Sequence, residues 1–207
     1  WREPDAGIWE LDQQCWAHSR LTCAAGLRTI GEMAPAHEGA EWQHLAELLI
    51  TDTASDCLYP SGRWQRAPGD PRVDAALLIP SIRGAIPVTD PRTTATLDAV
   101  RTDLSRHGYV YRFRPDEQPL GQQEGAFLLC GFLMCLAEHQ CGNRVAAARW
   151  FERNRGAFGP PGLFTEEYDV AQRQLRGNLP QAFVHALLFE AAHTLQGDDD
   201  PAVGKSW

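Results

Sequence analysis

The spacing of apolar residues predicts helices joined by irregular loops. Gln14 to about Ala34 is mostly apolar, through Cys15, Trp16, Leu21, Cys23, Ala24, Ala25, Leu27 and Ile30. From Glu41 to about Leu58 the pattern divides. Trp42, Leu45, Leu49 and Ile50 share one face, and Glu41, His44, Glu47, Asp52 and Asp56 take the other. Asp74 to Ile79 reads as a short apolar helix stopped by Pro80. Asp90-Pro91 is a helix start, with Asp as cap and Pro at the first position. That helix runs to about His107, with Leu97, Val100 and Leu104 on one face. Gln122 to about His139 is apolar nearly all round. Asn143 to about Arg155 mixes Val145, Ala148 and Phe151 with four arginines. Pro180 to about Leu195 is again largely apolar. Strand signals are weak apart from Tyr109 to Phe113, which suits a short extended segment.

The order of these helices predicts an architecture. A helix that is apolar all round must be covered on both sides. Such helices alternate here with helices that carry a charged face, which suggests helical hairpins arranged as an inner ring within an outer ring. An irregular α-domain is the plainer alternative. No short-period repeat is visible. Pro and Gly fall in short loops and leave no linker, so residues 1–196 read as one domain. The acidic tail 197–207 reads as disordered.

Composition narrows the function. The 207 residues are 43% hydrophobic, enough for a core. The net charge is −8 and Lys205 is the only lysine, so no basic patch serves a nucleic acid or an anionic membrane. No apolar run reaches the roughly 18 residues of a membrane span. No signal-peptide pattern is present, and Trp1 is not a natural start. The six cysteines form no Cys-x-x-Cys pair and mostly fall within apolar helical patterns. They read as reduced core residues of a cytoplasmic protein, with one disulfide or a metal site as alternatives. Phosphate loops, dinucleotide fingerprints and His-x-x-x-His pairs are missing, so no cofactor and no metal is expected.

Two segments carry candidate chemistry. One is Gly7-Ile8-Trp9-Glu10 and the other Gly162-Leu163-Phe164-Thr165-Glu166-Glu167-Tyr168-Asp169. Each places a Glu near an aromatic residue and a glycine in a loop-like stretch. Hydrolysis of a glycosidic bond needs two carboxyl groups across a sugar, one protonated as acid and one ionised as base. Trp9 can stack on a sugar and dry Glu10, and desolvation raises a carboxyl pKa. Repulsion within the Glu166-Glu167 doublet acts the same way; the plainer reading of all three is solvated loop carboxylates. Arg112 and Arg114 precede Asp116 and Glu117, and a planar guanidinium binds vicinal hydroxyls well. Glu124 opens an apolar helix, where a carboxylate suits the helix dipole and simple capping is the alternative. His18 lacks an acidic partner at a recognisable spacing and reads as a polar group on a pocket floor. His185 reads as a satisfied core histidine.

Together these segments resemble glycoside hydrolase family 15, the glucoamylase, glucodextranase and trehalase group. Pro4 to Glu10 resembles the family's general-acid segment, and His18-Ser19-Arg20 the His-Ser-Lys that opens the next helix. Val73 to Leu78 and Asp90 to Thr96 resemble two mid-domain signatures. Tyr111-Arg112-Phe113 and Glu124 to Cys130 resemble the substrate-arginine loop and its helix. Gly162 to Asp169 resembles the general-base segment, and Gly177 to His185 the closing Gly-Asn-Phe-Pro-Gln-Ala-Phe-Ser-His. The series covers about residues 1 to 195 in the family's order.

The resemblance implies an (α/α)6 toroid and an inverting, exo-acting hydrolase that releases glucose from an α-glucan or trehalose. Glu10 would be the general acid and Glu166 the general base, with Glu167 a neighbour. Arg112 and Glu124 would hold sugar hydroxyls, and Trp9 and His18 would line the pocket. Two departures stand out. Leu11-Asp12-Gln13 replaces the Val-Arg-Gly common in bacterial relatives, which bears on the leaving-group side. Only about seven helices are legible, so the all-α chain is expected to be the C-terminal half of a catalytic domain. It would need the preceding half to complete its pocket and would be nearly inactive alone. The alternative is a non-catalytic carbohydrate-binding or assembly subunit with a vestigial toroid.

Overall fold

A computed structural model describes residues 1–114, 125–159 and 162–197. Backbone contacts group into two compact units, Trp1–Val100 and Arg101–Trp207.

The first unit is built on a helical hairpin, α1 (Ala17–Met33) and α2 (Ala36–Cys57). Ala34 is extended, as the residue before Pro35 must be, and the chain reverses there. Glycines let the two helices meet closely beside this turn: a Cβ on Gly39 would collide with the Gly31 carbonyl oxygen. At the other end buried Arg20 reaches across to Asp52 and Asp56, each at 2.9 Å. Leu21, Ala24, Leu49 and Ile50 interlock between the helices with Trp64 and Leu77. The loop after α2 folds back so that the Arg66 carbonyl accepts the Ala17 N–H at 3.0 Å, satisfying a donor of the first turn of α1.

Asp74 then caps a 3-10 turn, Ala75–Leu78, by accepting the Ala76 N–H at 2.8 Å. Pro80 does not stop the chain, contrary to the sequence expectation. It is the second residue of α3 (Ile79–Ile82), where a missing N–H costs nothing. α4 (Pro91–Leu104) starts as expected, with the Asp90 carboxylate accepting the Arg92 N–H at 2.8 Å. It ends three residues early, because β1 (Ser105–Arg106) and β2 (Tyr109–Val110) form a hairpin across His107-Gly108. Both turn residues have positive φ, 54° and 80°. That pair of angles matches the twist of a two-residue hairpin.

The second unit centres on α5 (Leu128–Gln140), packed by α6 (Arg144–Arg155) and α7 (Ala182–Gln196). Every residue of α5 from Leu128 to Glu138 is buried, as expected of a helix apolar all round. Its buried Glu138 is matched by Arg101 Nε and Asn143 Nδ2, both at 2.8 Å. Where α6 crosses it, Gly131 faces Asn154 so closely that a Cβ would overlap the amide. A three-stranded antiparallel sheet lies beside the helices in the order β3 (Ala126–Phe127), β4 (Glu167–Asp169) and β5 (Gln174–Arg176).

α7 departs from expectation. Only Val184, Leu187 and Ala191 are buried, and Phe183 and Phe189 are about 70% exposed. Cysteines also divide: Cys57, Cys130 and Cys135 are buried, Cys15 and Cys141 half-buried, and Cys23 exposed, and none of the six is joined in a disulfide. Cys23 sits on the outer face of α1, opposite the packed Leu21 and Ala24. Among the described residues no helix is long and apolar enough to cross a membrane. The tail from Asp198, together with Asp116, Glu117 and Glu124, lies outside the described residues.

Candidate active site

Glu10 ends a tight turn in the first unit. Its N–H donates to the Gly7 carbonyl at 3.2 Å, and the Leu11 N–H to that of Ala6 at 3.1 Å. Gly7 and Glu10 both have positive φ, 66° and 50°. For Glu10 this left-handed geometry costs about 1–2 kcal/mol, and such strain persists only where the surroundings over-determine it.

The surroundings do so. Asp5 and Gln14 pair their backbones across the loop, each N–H to the other carbonyl at 3.0 Å. The Asp5 carboxylate accepts the Gly7 N–H at 2.6 Å and the Ser19 hydroxyl at 3.0 Å. Trp16 donates its indole N–H to the Asp5 carbonyl at 2.8 Å. His18 Nε2 accepts the Ile8 N–H at 3.1 Å. Trp9 turns its indole inward and donates to the fully buried Asp74 at 2.8 Å. A second oxygen of Asp74 lies 3.2 Å from Arg66 Nε as an ion pair, and Arg66 covers the Trp16 ring at 4.9 Å.

With Trp9 directed at Asp74, Trp9 alone does not dry its neighbour, and Glu10 is exposed within its unit. His18 is buried, and burial is the main reason its pKa is held below the usual 6.5; Asp74 and Asp5 oppose this and Arg66 adds to it. An N–H directed at Nε2 requires that nitrogen to be bare, so the neutral ring carries its proton on Nδ1. Nδ1 has no hydrogen-bond partner among the described residues.

Glu166 stands immediately before β4 in the second unit. Its N–H donates to the Asn178 carbonyl, and its own carbonyl accepts the Leu128 N–H, both at 3.1 Å. The carboxylate accepts the Asn178 side-chain amide at 3.1 Å. Gly177, at φ 77°, leaves space for it: a Cβ there would come within 2.9 Å of the Glu166 Cβ and carboxylate. The adjacent Glu167 has a different task, accepting the Gly125 N–H at 2.9 Å. His185 on α7 lies 2.8 Å from the Gln181 carbonyl through Nδ1, and its Nε2 accepts the Phe164 N–H at 3.3 Å. Both of its ring nitrogens are engaged, as expected of a satisfied histidine, though the partner is the Glu166 segment.

Trp9, Glu10 and His18 therefore meet in the first unit. In the second, the Arg112 guanidinium stacks over Phe127 at 4.9 Å, and Phe127 pairs in register with Glu167, the residue after Glu166. Asp5, Asp74, Asn178 and Gly177 carry no chemical signature of their own in the sequence. For Asp74 the one available sign is its place at the head of the apolar run Ala75-Ala76-Leu77-Leu78, a position that suits a capping Asp. Among the described residues no group of three or more His, Cys, Asp or Glu is gathered as a metal site.

The helical hairpins place the chain in the (α/α)6 class, of which it forms part. A solved glycosidase, wild type, superposes with TM-score 0.83 over 95% of this chain and 56% of its own, at 20% identity. A bacterial glucoamylase complexed with acarbose does so with TM-score 0.73 over 91% of this chain and 34% of its own, at 15% identity. The trehalase of Mycolicibacterium smegmatis is 30% identical over 97% of this chain and 31% of its own length. That of Thermoplasma acidophilum is 26% identical over 95% and 35%. The model of glycosyl hydrolases family 15 matches residues 1–159, a range that holds Trp9, Glu10, His18 and Arg112 and stops short of Glu166. The chain belongs to glycosyl hydrolase family 15. It spans about a third of the length of these curated relatives.

Proposed function

We propose that this chain supplies both catalytic carboxylates of an inverting α-glucoside hydrolase, with Glu10 as general acid and Glu166 as general base. The observation that carries the proposal is the bracing of both groups. Glu10 is held in a left-handed turn by Asp5, His18 and the Trp9–Asp74 bond, and Glu166 is held by Asn178 in space that Gly177 leaves open. In an inverting enzyme the base activates a water on the face opposite the leaving group, and a carboxyl separation of about 6.5–9.5 Å leaves room for it. Arg112 and Glu124 hold sugar hydroxyls. Trp9 lines the pocket with its ring face, since its N–H is committed to Asp74. His18 stays on the pocket floor behind the turn, its Nε2 committed to the Ile8 N–H and its Nδ1 buried, so it steadies Glu10 rather than touching the sugar. The curated relatives are trehalases, which favours trehalose over maltose and isomaltose as substrate. No cofactor or metal enters the scheme.

The remaining helices of the toroid are supplied by sequence beyond this chain. The exposed Phe183 and Phe189 of α7 and the greater length of the relatives support this. The test is glucose release from trehalose, maltose and isomaltose by the full-length protein, with the first-formed anomer read by NMR. Inversion turns the attacked ring into β-glucose, so trehalose gives α- and β-glucose in equal amounts at first, whereas retention gives α-glucose alone. Glu10→Gln and Glu166→Gln should each lower turnover by about 10²–10⁴-fold. A near-normal rate in either variant, or α-glucose alone as the first product from trehalose, would overturn the assignment.

A further inference from the structure

Glu10 and Glu166 are anchored alike. In each case the backbone N–H two residues earlier donates to a histidine Nε2: Ile8 to His18 at 3.1 Å and Phe164 to His185 at 3.3 Å. Each histidine stands in the first turn of the helix that follows its loop, His18 in α1 and His185 in α7. Both bonds demand the same tautomer. A carbonyl can only accept, so the 2.8 Å contact of His185 Nδ1 with Gln181 O places the proton on Nδ1 and leaves Nε2 bare. His18 reaches that state through the Ile8 N–H, with the Ser19 hydroxyl a further 3.5 Å contact on the same nitrogen.

We propose that His18 and His185 are matched positioning residues, each fixing the reach of one catalytic carboxylate from its helix. The proposal rests on the reading of Glu10 as acid and Glu166 as base. The physical argument is leverage. A helix is the rigid element, and the loop bearing the glutamate is tied to it two residues upstream. Slackening that tie lets the carboxylate wander, and a misplacement of about 1 Å can cost roughly 100-fold in rate. A histidine that merely filled space would couple to neither role in particular.

The two roles separate by leaving group. A sugar leaving group needs protonation, whereas fluoride departs with little help from an acid. In the full-length protein, His18→Leu should lower kcat on the disaccharide by about 10–100-fold and leave α-D-glucosyl fluoride hydrolysis nearly unchanged. His185→Leu should slow both substrates alike, because both need the base. KM should stay within about twofold, since the loss falls on the transition state. His18→Gln and His185→Gln, which return an acceptor near the Nε2 position, should recover most of the rate. If the leucine variants fail to fold, His18→Asn and His185→Asn replace them, because asparagine is too short to reach the loop N–H. They should show the same split.

Equal loss on both substrates in the His18 variant, no loss in either, or glutamine no better than leucine would overturn the proposal. Glu10→Gln on the same pair tests the underlying reading separately. If it slows the fluoride as much as the disaccharide, Glu10 is not the acid. If it spares the fluoride while His18→Leu does not, only the positioning role fails.

Discussion

At the scale of single residues, His18 also sets a pH dependence of stability. Its pKa is lowered in the folded chain, first by burial, with the Arg66 charge adding and those of Asp74 and Asp5 opposing. In the unfolded chain it titrates near 6.5. Below that pH the unfolded chain binds a proton that the folded chain refuses. Stability contributed by neutral His18 is therefore complete above about pH 6.5 and declines as pH falls toward the folded pKa. Each unit of depression is worth about 1.4 kcal/mol. Thermal melts from pH 7.5 down to pH 5 should show a steeper fall in Tm for the wild type than for His18→Gln; parallel curves would show that His18 is not held neutral. Glu10, Glu166, Trp9, Arg112 and His18 stand out in the sequence as candidates through their place in the family-like series of segments, since the chemistry of each alone fits a solvated loop or a core position as well. Their supports do not stand out. Asp5 and Asp74 act through bonds to residues as much as 65 positions away, and one acidic residue among many gives no local sign of that.

At the scale of elements, the crossing of α5 and α6 depends on Gly131. Its missing side chain admits the fully buried Asn154, whose amide donates to the Trp150 carbonyl at 2.8 Å. Gly131→Ala gains helix propensity, about 1 kcal/mol at most, but over-packs a fixed contact at about 1–3 kcal/mol. Urea unfolding of the full-length protein should show a net loss, and pairing it with Asn154→Ala should recover part of it; a neutral Gly131→Ala would mean that the helices shift freely. The helices themselves were readable because each runs long enough to display its period. Strands were not, since β3, β4 and β5 are two or three residues long and cannot show an alternation. That is why Glu167 reads as a loop residue although it opens β4. Helix ends were misjudged where a local turn intervened, as with His107-Gly108 after α4 and Pro80 within α3.

At the scale of the whole molecule, the question is what covers α7. Its composition demands burial, yet Phe183 and Phe189 lie open in this chain, with Ala186 exposed between them. Burying one Phe side chain is worth about 1.5–3 kcal/mol, so two left in water are a standing drive toward association. If further helices of the toroid pack there, replacing both residues by Glu should act oppositely in two contexts. In the 207-residue chain alone the double variant should be more soluble and bind less of a hydrophobic dye, with its circular dichroism unchanged. In the full-length protein it should lower Tm by several degrees, because charges would enter a buried interface. The same comparison bears on catalysis. The 207-residue chain holds both proposed carboxylates but only part of the helical ring, so it should release little glucose by itself. A full-length protein indifferent to both substitutions would show that α7 faces solvent and that the ring closes elsewhere.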